Sequence, residues 1–180
     1  LYLDEGEAFF DVTHNDLLPF VVQTASGMQT RDLGTAFSVK AYRALPTEKV
    51  TVLRGKVKVV DSFHNYGVLI KGQGADINVR KGTGISLAVD STEVNGWVRG
   101  QVMLNNVSFL ELAVELENTF GVAVMFKNEE LKKCRSSISF SRKDSLTQVM
   151  EILKTIYKID YHLDEDRRVL LISGQVCNVQ

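Results

Sequence analysis

Two hydrophobic periods divide the chain. Over the first ninety residues apolar and polar positions alternate: Phe37, Val39 and Ala41 against Ser38, Lys40 and Tyr42; Val57 and Val59 against Lys56 and Lys58; Ile85, Leu87 and Val89 against Ser86 and Asp90. A period of two marks half-buried strands. Glycines at 27, 55, 67, 72, 74, 82 and 84 punctuate the pattern, and no ten-residue stretch offers a helical stripe. This part reads as an all-β N-terminal domain, a sandwich or a short β-roll or solenoid.

Beyond STEVNGW the period becomes helical. Phe109, Leu112, Ala113, Leu116 and Phe120 fall at i, i+3, i+4, i+7 and i+11, and Leu146, Val149, Met150, Leu153 and Tyr157 repeat those offsets thirty-seven residues later. Both runs predict amphipathic helices of about three turns. Ser108 precedes Glu111 by three residues and Ser145 precedes Gln148 by three, the spacing of a capping box. Each stripe leads into an alternating run, Val122 and Val124 in one copy and Ile159 and Tyr161 in the other. The pattern predicts a small α+β C-terminal domain of two βαβ-like repeats that cover one another's apolar faces. The domains are placed at 1–93 and 94–180, with the second beginning near Trp97.

Composition narrows the function classes. The chain has 180 residues, 44% hydrophobic and 24% charged, with formal net charge −1. Basic and acidic residues number 10 and 10 over 1–90 and 11 and 12 over 91–180, so neither half looks built to hold a polyanion such as nucleic acid. No apolar window is long enough to span a membrane, and the chain opens at Leu1 inside a strand pattern. It reads as a fragment whose targeting or anchoring segment lies upstream.

Chemistry is sparse. His14 and His64 sit in turn-like contexts, His162 lies in a strand pattern, and none has a ligand partner at metal spacing. There is no GxSxG elbow, and the glycines of KGQGADINVRKGTG continue into neither a dinucleotide fingerprint nor a phosphate loop. The acidic run at Asp164, Glu165 and Asp166 reads as a solvated turn. Cys134 and Cys177, 43 residues apart, form no metal or CxxC spacing. They fit two unpaired structural thiols, and a disulfide stays open should the compartment be oxidising. The expectation is a non-enzyme that needs no cofactor or metal and recognises another protein.

Four ordered motifs then carry a resemblance. GEAFFDV (6–12), PFVVQT (19–24), LGTAFSVKAY (33–42) and VTVLRGKVKVV (50–60) resemble the extracytoplasmic domain of FecR-type anti-sigma factors. Trp97, Gly100, LNNVSFLELAVELENTFGVAV, ISFSRKDSLTQVMEIL and VLLIS resemble that family's C-terminal domain, which is similar to the short N-terminal module of secretins and TonB-dependent receptors. RKGTGISLAVD departs from the family in having no proline near the end of the β domain, and the cut start of that domain would leave its first strand unpaired.

The resemblance implies the periplasmic region of a single-pass inner-membrane protein. Its sigma factor would be held by a cytoplasmic domain, and its membrane contact made by a helix, both outside this chain. The implied partner is the signalling domain of a TonB-dependent outer-membrane transducer, and the implied output is regulation of an extracytoplasmic-function sigma factor. A structural assembly module related to secretin N-terminal domains is the rival reading. An exposed strand edge could take a partner's strand, which names Val122, Val124 and Phe126, or Ser137, Ser139 and Ser141, as partner-binding candidates. Gly6, Phe10, Gly34, Thr35, Phe37, Gly55, Trp97 and Gly100 are expected to be structural.

Overall fold

A computed structural model describes residues 1–13, 20–32, 34–88, 96 and 100–177. Trp97, His14 and the expected boundary at 93/94 lie outside the described residues. The chain divides into two compact units, Leu1–Val94 and Asn95–Gln180.

The alternating half folds as two five-stranded sheets. The strands are β1 (Tyr2–Leu3), β2 (Gly6–Asp11), β3 (Val21–Thr24), β4 (Gln29–Asp32), β5 (Ala36–Ala41), β6 (Glu48–Arg54), β7 (Lys56–Val60), β8 (Asn65–Ile70), β9 (Gln73–Asn78) and β10 (Thr83–Ala88). One sheet runs β1-β3-β4-β7-β8 and the other β10-β9-β6-β5-β2. Val22, Val57, Val59 and Leu69 from the first share a core with Phe37, Val39, Val50, Val52 and Ile77 from the second. Period-two alternation thus buries one face of each sheet against the other, except along β10, where Ile85 and Leu87, expected to be half-buried, are exposed. Contrary to the expectation that the first strand lacks a partner, Tyr2 and Leu3 of β1 pair in parallel with Gln23 and Thr24.

The glycine motifs mark where the chain changes sheets. It passes from β4 to β5 through Gly34 and from β6 to β7 through Gly55, both with positive φ, 88° and 78°. The two crossings touch: a Cβ on Gly55 would stand 2.3 Å from the Gly34 carbonyl oxygen. Thr35 Oγ1 donates to the Lys56 carbonyl at 2.7 Å, tying the crossings together. Phe10 sits beside them in an aromatic group, 5.2 Å from Phe37 and 5.7 Å from Phe20. Gly55→Ala therefore combines a disfavoured φ with a backbone clash. We expect a loss of about 2–4 kcal/mol, measured by denaturant unfolding; a midpoint unchanged from wild type would contradict the stacked corner.

The second unit follows the helical period. Its strands are β11 (Gln101–Ser108), β12 (Ala123–Phe126), β13 (Arg135–Ser141), β14 (Ile159–Asp164) and β15 (Val169–Gly174), with helices α1 (Phe109–Phe120) and α2 (Leu146–Tyr157). Both helices open on complete capping boxes, Ser108 with Glu111 and Ser145 with Gln148. Strand, helix, strand occurs twice, as β11-α1-β12 and β13-α2-β14.

The strands of each repeat do not share a sheet. The two leading strands pair antiparallel with each other, and β12 and β14 flank β15. Exchanging strands between copies lets both helices cover one core: Phe109, Leu112 and Leu116 from α1 meet Val149, Met150 and Leu153 from α2, with Leu170 and Ile172 of β15.

The cysteines correct one expectation. Cys134 and Cys177 are not unpaired thiols but a disulfide, with Cα atoms 5.7 Å apart. Cys134 ends a 3-10 turn (Glu129–Lys133) and lies in the core, while Cys177 follows β15 and packs against that core. The bond fastens the segment after the last strand to the turn before β13.

Candidate partner-binding edge

The two groups of partner candidates belong to different sheets, β12 to the three-stranded one and β13 to the two-stranded one. Their side chains face opposite ways. Val122, Val124 and Phe126 are half-buried against the core, and the residues that β12 displays outward are Ala123 and Met125, the latter 56% exposed. Ser137 and Ser139 stand on the exposed face of β13, alternating with buried Ser136, Ile138 and Phe140, and Ser141 is half-buried at its end.

Backbone groups decide which edge can accept a strand. On the side away from β11, Ser137, Ser139 and Ser141 turn their backbone outward, and the positions of Ser137 and Ser141 are occupied. The Tyr157 hydroxyl accepts from the Ser137 N–H at 2.6 Å and donates to the Ser137 carbonyl at 2.9 Å. Asp144 takes the Ser141 N–H through Oδ2 at 2.8 Å and gives its own N–H to the Ser141 carbonyl at 2.9 Å. Side chains and a turn thus block two of the three outward-facing residues of the β13 edge, on either side of Ser139. Ser137 has a further local task, since its Oγ accepts the N–H of Asn106 where β11 bulges.

The β12 edge is less covered. The N–H groups of Ala123 and Lys127 donate to Arg168 and Ile172, so alternate residues from 123 face β15, and Val124 and Phe126 face away from it. The Val124 N–H donates to Glu117 Oε1 at 2.9 Å. That carboxylate occupies one position of the edge and leaves Phe126 as its forward hydrogen-bonding residue. Lys132 stands over the Phe126 ring at 5.9 Å. Alternation in the sequence locates the strand but not which of its sides is paired, so this asymmetry between β12 and β13 was not readable there.

The remaining predicted residues take structural places. Gly6 opens β2 with φ 125°, and Gly100 has φ 77° beside the start of β11, where its carbonyl accepts from Arg142 N–H. The basic residues Lys132 and Lys133 pair with Glu129 and Glu130. Asp164 turns the β14-β15 hairpin by accepting the Arg167 N–H.

Polar groups elsewhere form turns. At the β7-β8 turn Asp61 accepts from the Tyr66 hydroxyl at 2.5 Å and from the N–H groups of Phe63 and His64 at 2.6 and 2.7 Å. The Tyr66 bond, followed by these backbone donors, holds the Asp61 carboxyl well below its ordinary range against the opposing effect of burial. Burial and the Asp61 bond push Tyr66 up to about 12. A cleft of about 650 Å³ at one end of the first unit is lined by Tyr2, Tyr42, Arg43, Glu48 and Arg80 among others, with no histidine or cysteine in its wall. Glu48 is held there by Thr24 Oγ1 at 2.8 Å and Arg43 by Asp4 at 2.7 Å. Among the described residues no group of three His, Cys, Asp or Glu could hold a metal ion, and no helix is long and apolar enough to cross a membrane.

Known proteins with this architecture point one way. No curated protein matches the chain in sequence. Two crystal structures of a candidate anti-sigma factor from Parabacteroides distasonis superpose with a TM-score of 0.84 over 95% of this chain and 78% of that one, at 23% identity, which shows a shared fold. The family model described as FecR protein matches residues 1–58, and the one described as FecR, C-terminal matches residues 101–171. Two models of one family, in order and across both units, identify the chain as a member of the FecR family.

Proposed function

We propose that the chain is the periplasmic, signal-receiving region of a single-pass inner-membrane anti-sigma factor. Residues 94–180 form the receiving module, which binds the signalling domain of a TonB-dependent outer-membrane transducer. Binding there alters the hold of a cytoplasmic domain, outside this chain, on an extracytoplasmic-function sigma factor. The observation that carries the reading is the ordered match of both FecR models, one in each unit. Two features support it. A disulfide suits an oxidising compartment rather than the cytosol, and β12 offers an edge that a partner's strand can extend.

Calorimetric titration of the whole chain with the signalling domain of the receptor encoded beside it tests the reading. We expect a micromolar Kd, roughly −8 kcal/mol. Absence of heat at protein concentrations well above that, together with ring or filament formation on a sizing column, would instead favour the architectural reading.

A further inference from the structure

The outer face of the β1-β3-β4-β7-β8 sheet is chemically unlike the rest of its unit. Thr30, Asp32, Val57, Val59 and Leu69 point inward, so alternation turns Arg31, Lys56, Lys58, Val68 and Ile70 outward. Cross-strand register sets Arg31 opposite Lys58, Lys58 opposite Val68, and Lys56 opposite Ile70. Val68 and Ile70 are 50% and 51% exposed.

Folding does not account for this arrangement. Like charges directly opposite on a sheet destabilise it, and the Arg31–Lys58 pair is such a case. Three other cations of the unit are neutralised locally: Lys40 by Glu7, Arg43 by Asp4 and Arg54 by Asp11. Arg31 instead donates to the neutral Gln29 side chain, and among the described residues no carboxylate pairs with Lys56 or Lys58. The even charge count of the sequence conceals this cluster of Arg31, Lys56 and Lys58 on one face. At the tip of the hairpin that carries both lysines, Phe63 is 90% exposed in the turn ordered by Asp61.

We propose that this face docks on the anionic headgroups of a phospholipid bilayer. Arg31, Lys56 and Lys58 meet the phosphates, their alkyl stems lying along Val68 and Ile70, and Phe63 enters the interfacial layer at the rim. A protein partner fits less well, because protein interfaces place apolar groups at the centre and shed lysine there. Here the cations occupy the inner strands β4 and β7, and the aliphatic residues lie on the edge strand β8. The proposal stands independently of which receptor the second unit recognises.

Co-sedimentation of the whole chain with equimolar phosphatidylglycerol–phosphatidylcholine vesicles at low ionic strength tests it. We expect binding to these vesicles, none to pure phosphatidylcholine, and release when the Debye length is cut to about 3 Å at 1 M salt. Lys56→Gln with Lys58→Gln should weaken partitioning about 25-fold, about fivefold for each cation removed, while Lys132→Gln with Lys133→Gln leaves it within twofold. Arg31→Gln alone should cost about fivefold, which preserves the test should the double variant fold poorly. No sedimentation, equal binding to neutral vesicles, or indifference to both sheet variants would overturn the proposal. So would capture of polyglutamate in place of the vesicles, which would make the face a site for acidic polypeptide.

Discussion

Leu153→Asp should abolish the folded state of the second unit. The side chain is fully buried between the two repeats, so the substitution removes its apolar burial and puts a carboxylate where no partner awaits it. Leucine truncation at such sites costs about 2–5 kcal/mol, and an unpaired buried charge adds to that. A unit of this size has a total stability of roughly 5–15 kcal/mol. Because the regular helices of the described residues lie in this unit, circular dichroism at the helical band reads it directly. We expect the band to be lost, or its melt to fall by more than about 20 °C. Ile152→Asp, one position earlier on the exposed side of the same helix, should change stability by no more than about 0.5 kcal/mol. A Leu153→Asp melt within a few degrees of wild type would refute the shared core.

Breaking the disulfide should have the next largest effect. In the chain-entropy description, cross-linking residues separated by 43 positions removes enough freedom from the unfolded chain to contribute about 4 kcal/mol. Cys134→Ser with Cys177→Ser should therefore lower the melting midpoint of the second unit by roughly 15–30 °C. Cys134 is buried, so reductant should act slowly on the folded protein and fully after unfolding. Indifference of the refolded, reduced protein to the loss of the bond would contradict this account. The expectation also bears on location, since a unit that depends on this bond matures best where thiols are oxidised.

The sequence was most informative where a physical period acts locally. The capping serines, Ser108 and Ser145, and the stripes behind them specify both helices because cap and stripe are fixed by neighbours three and four residues away. Alternation likewise specified the inward face of β7. What depends on distant partners was not legible. Gly34 and Gly55 stand out as turn residues, yet only the folded corner shows that one crossing forbids a side chain on the other. The bond between Cys134 and Cys177 requires β15 to return beside the turn before β13, which spacing cannot show. The candidate edges were visible as strands, but Tyr157, which covers part of one, and Glu117, which covers part of the other, come from helices and appear in the sequence only as helix residues.

The central claim, that the second unit receives a partner's strand on β12, is tested most directly by amide hydrogen exchange of the whole chain with and without the receptor's signalling domain. The account predicts that the Phe126 N–H gains strong protection on binding, with Met125, whose N–H already faces β15, changing little. Ser137 and Ser141, held by Tyr157 and Asp144, should stay as they were. Binding that protects amides elsewhere and leaves Phe126 exchanging freely would contradict it.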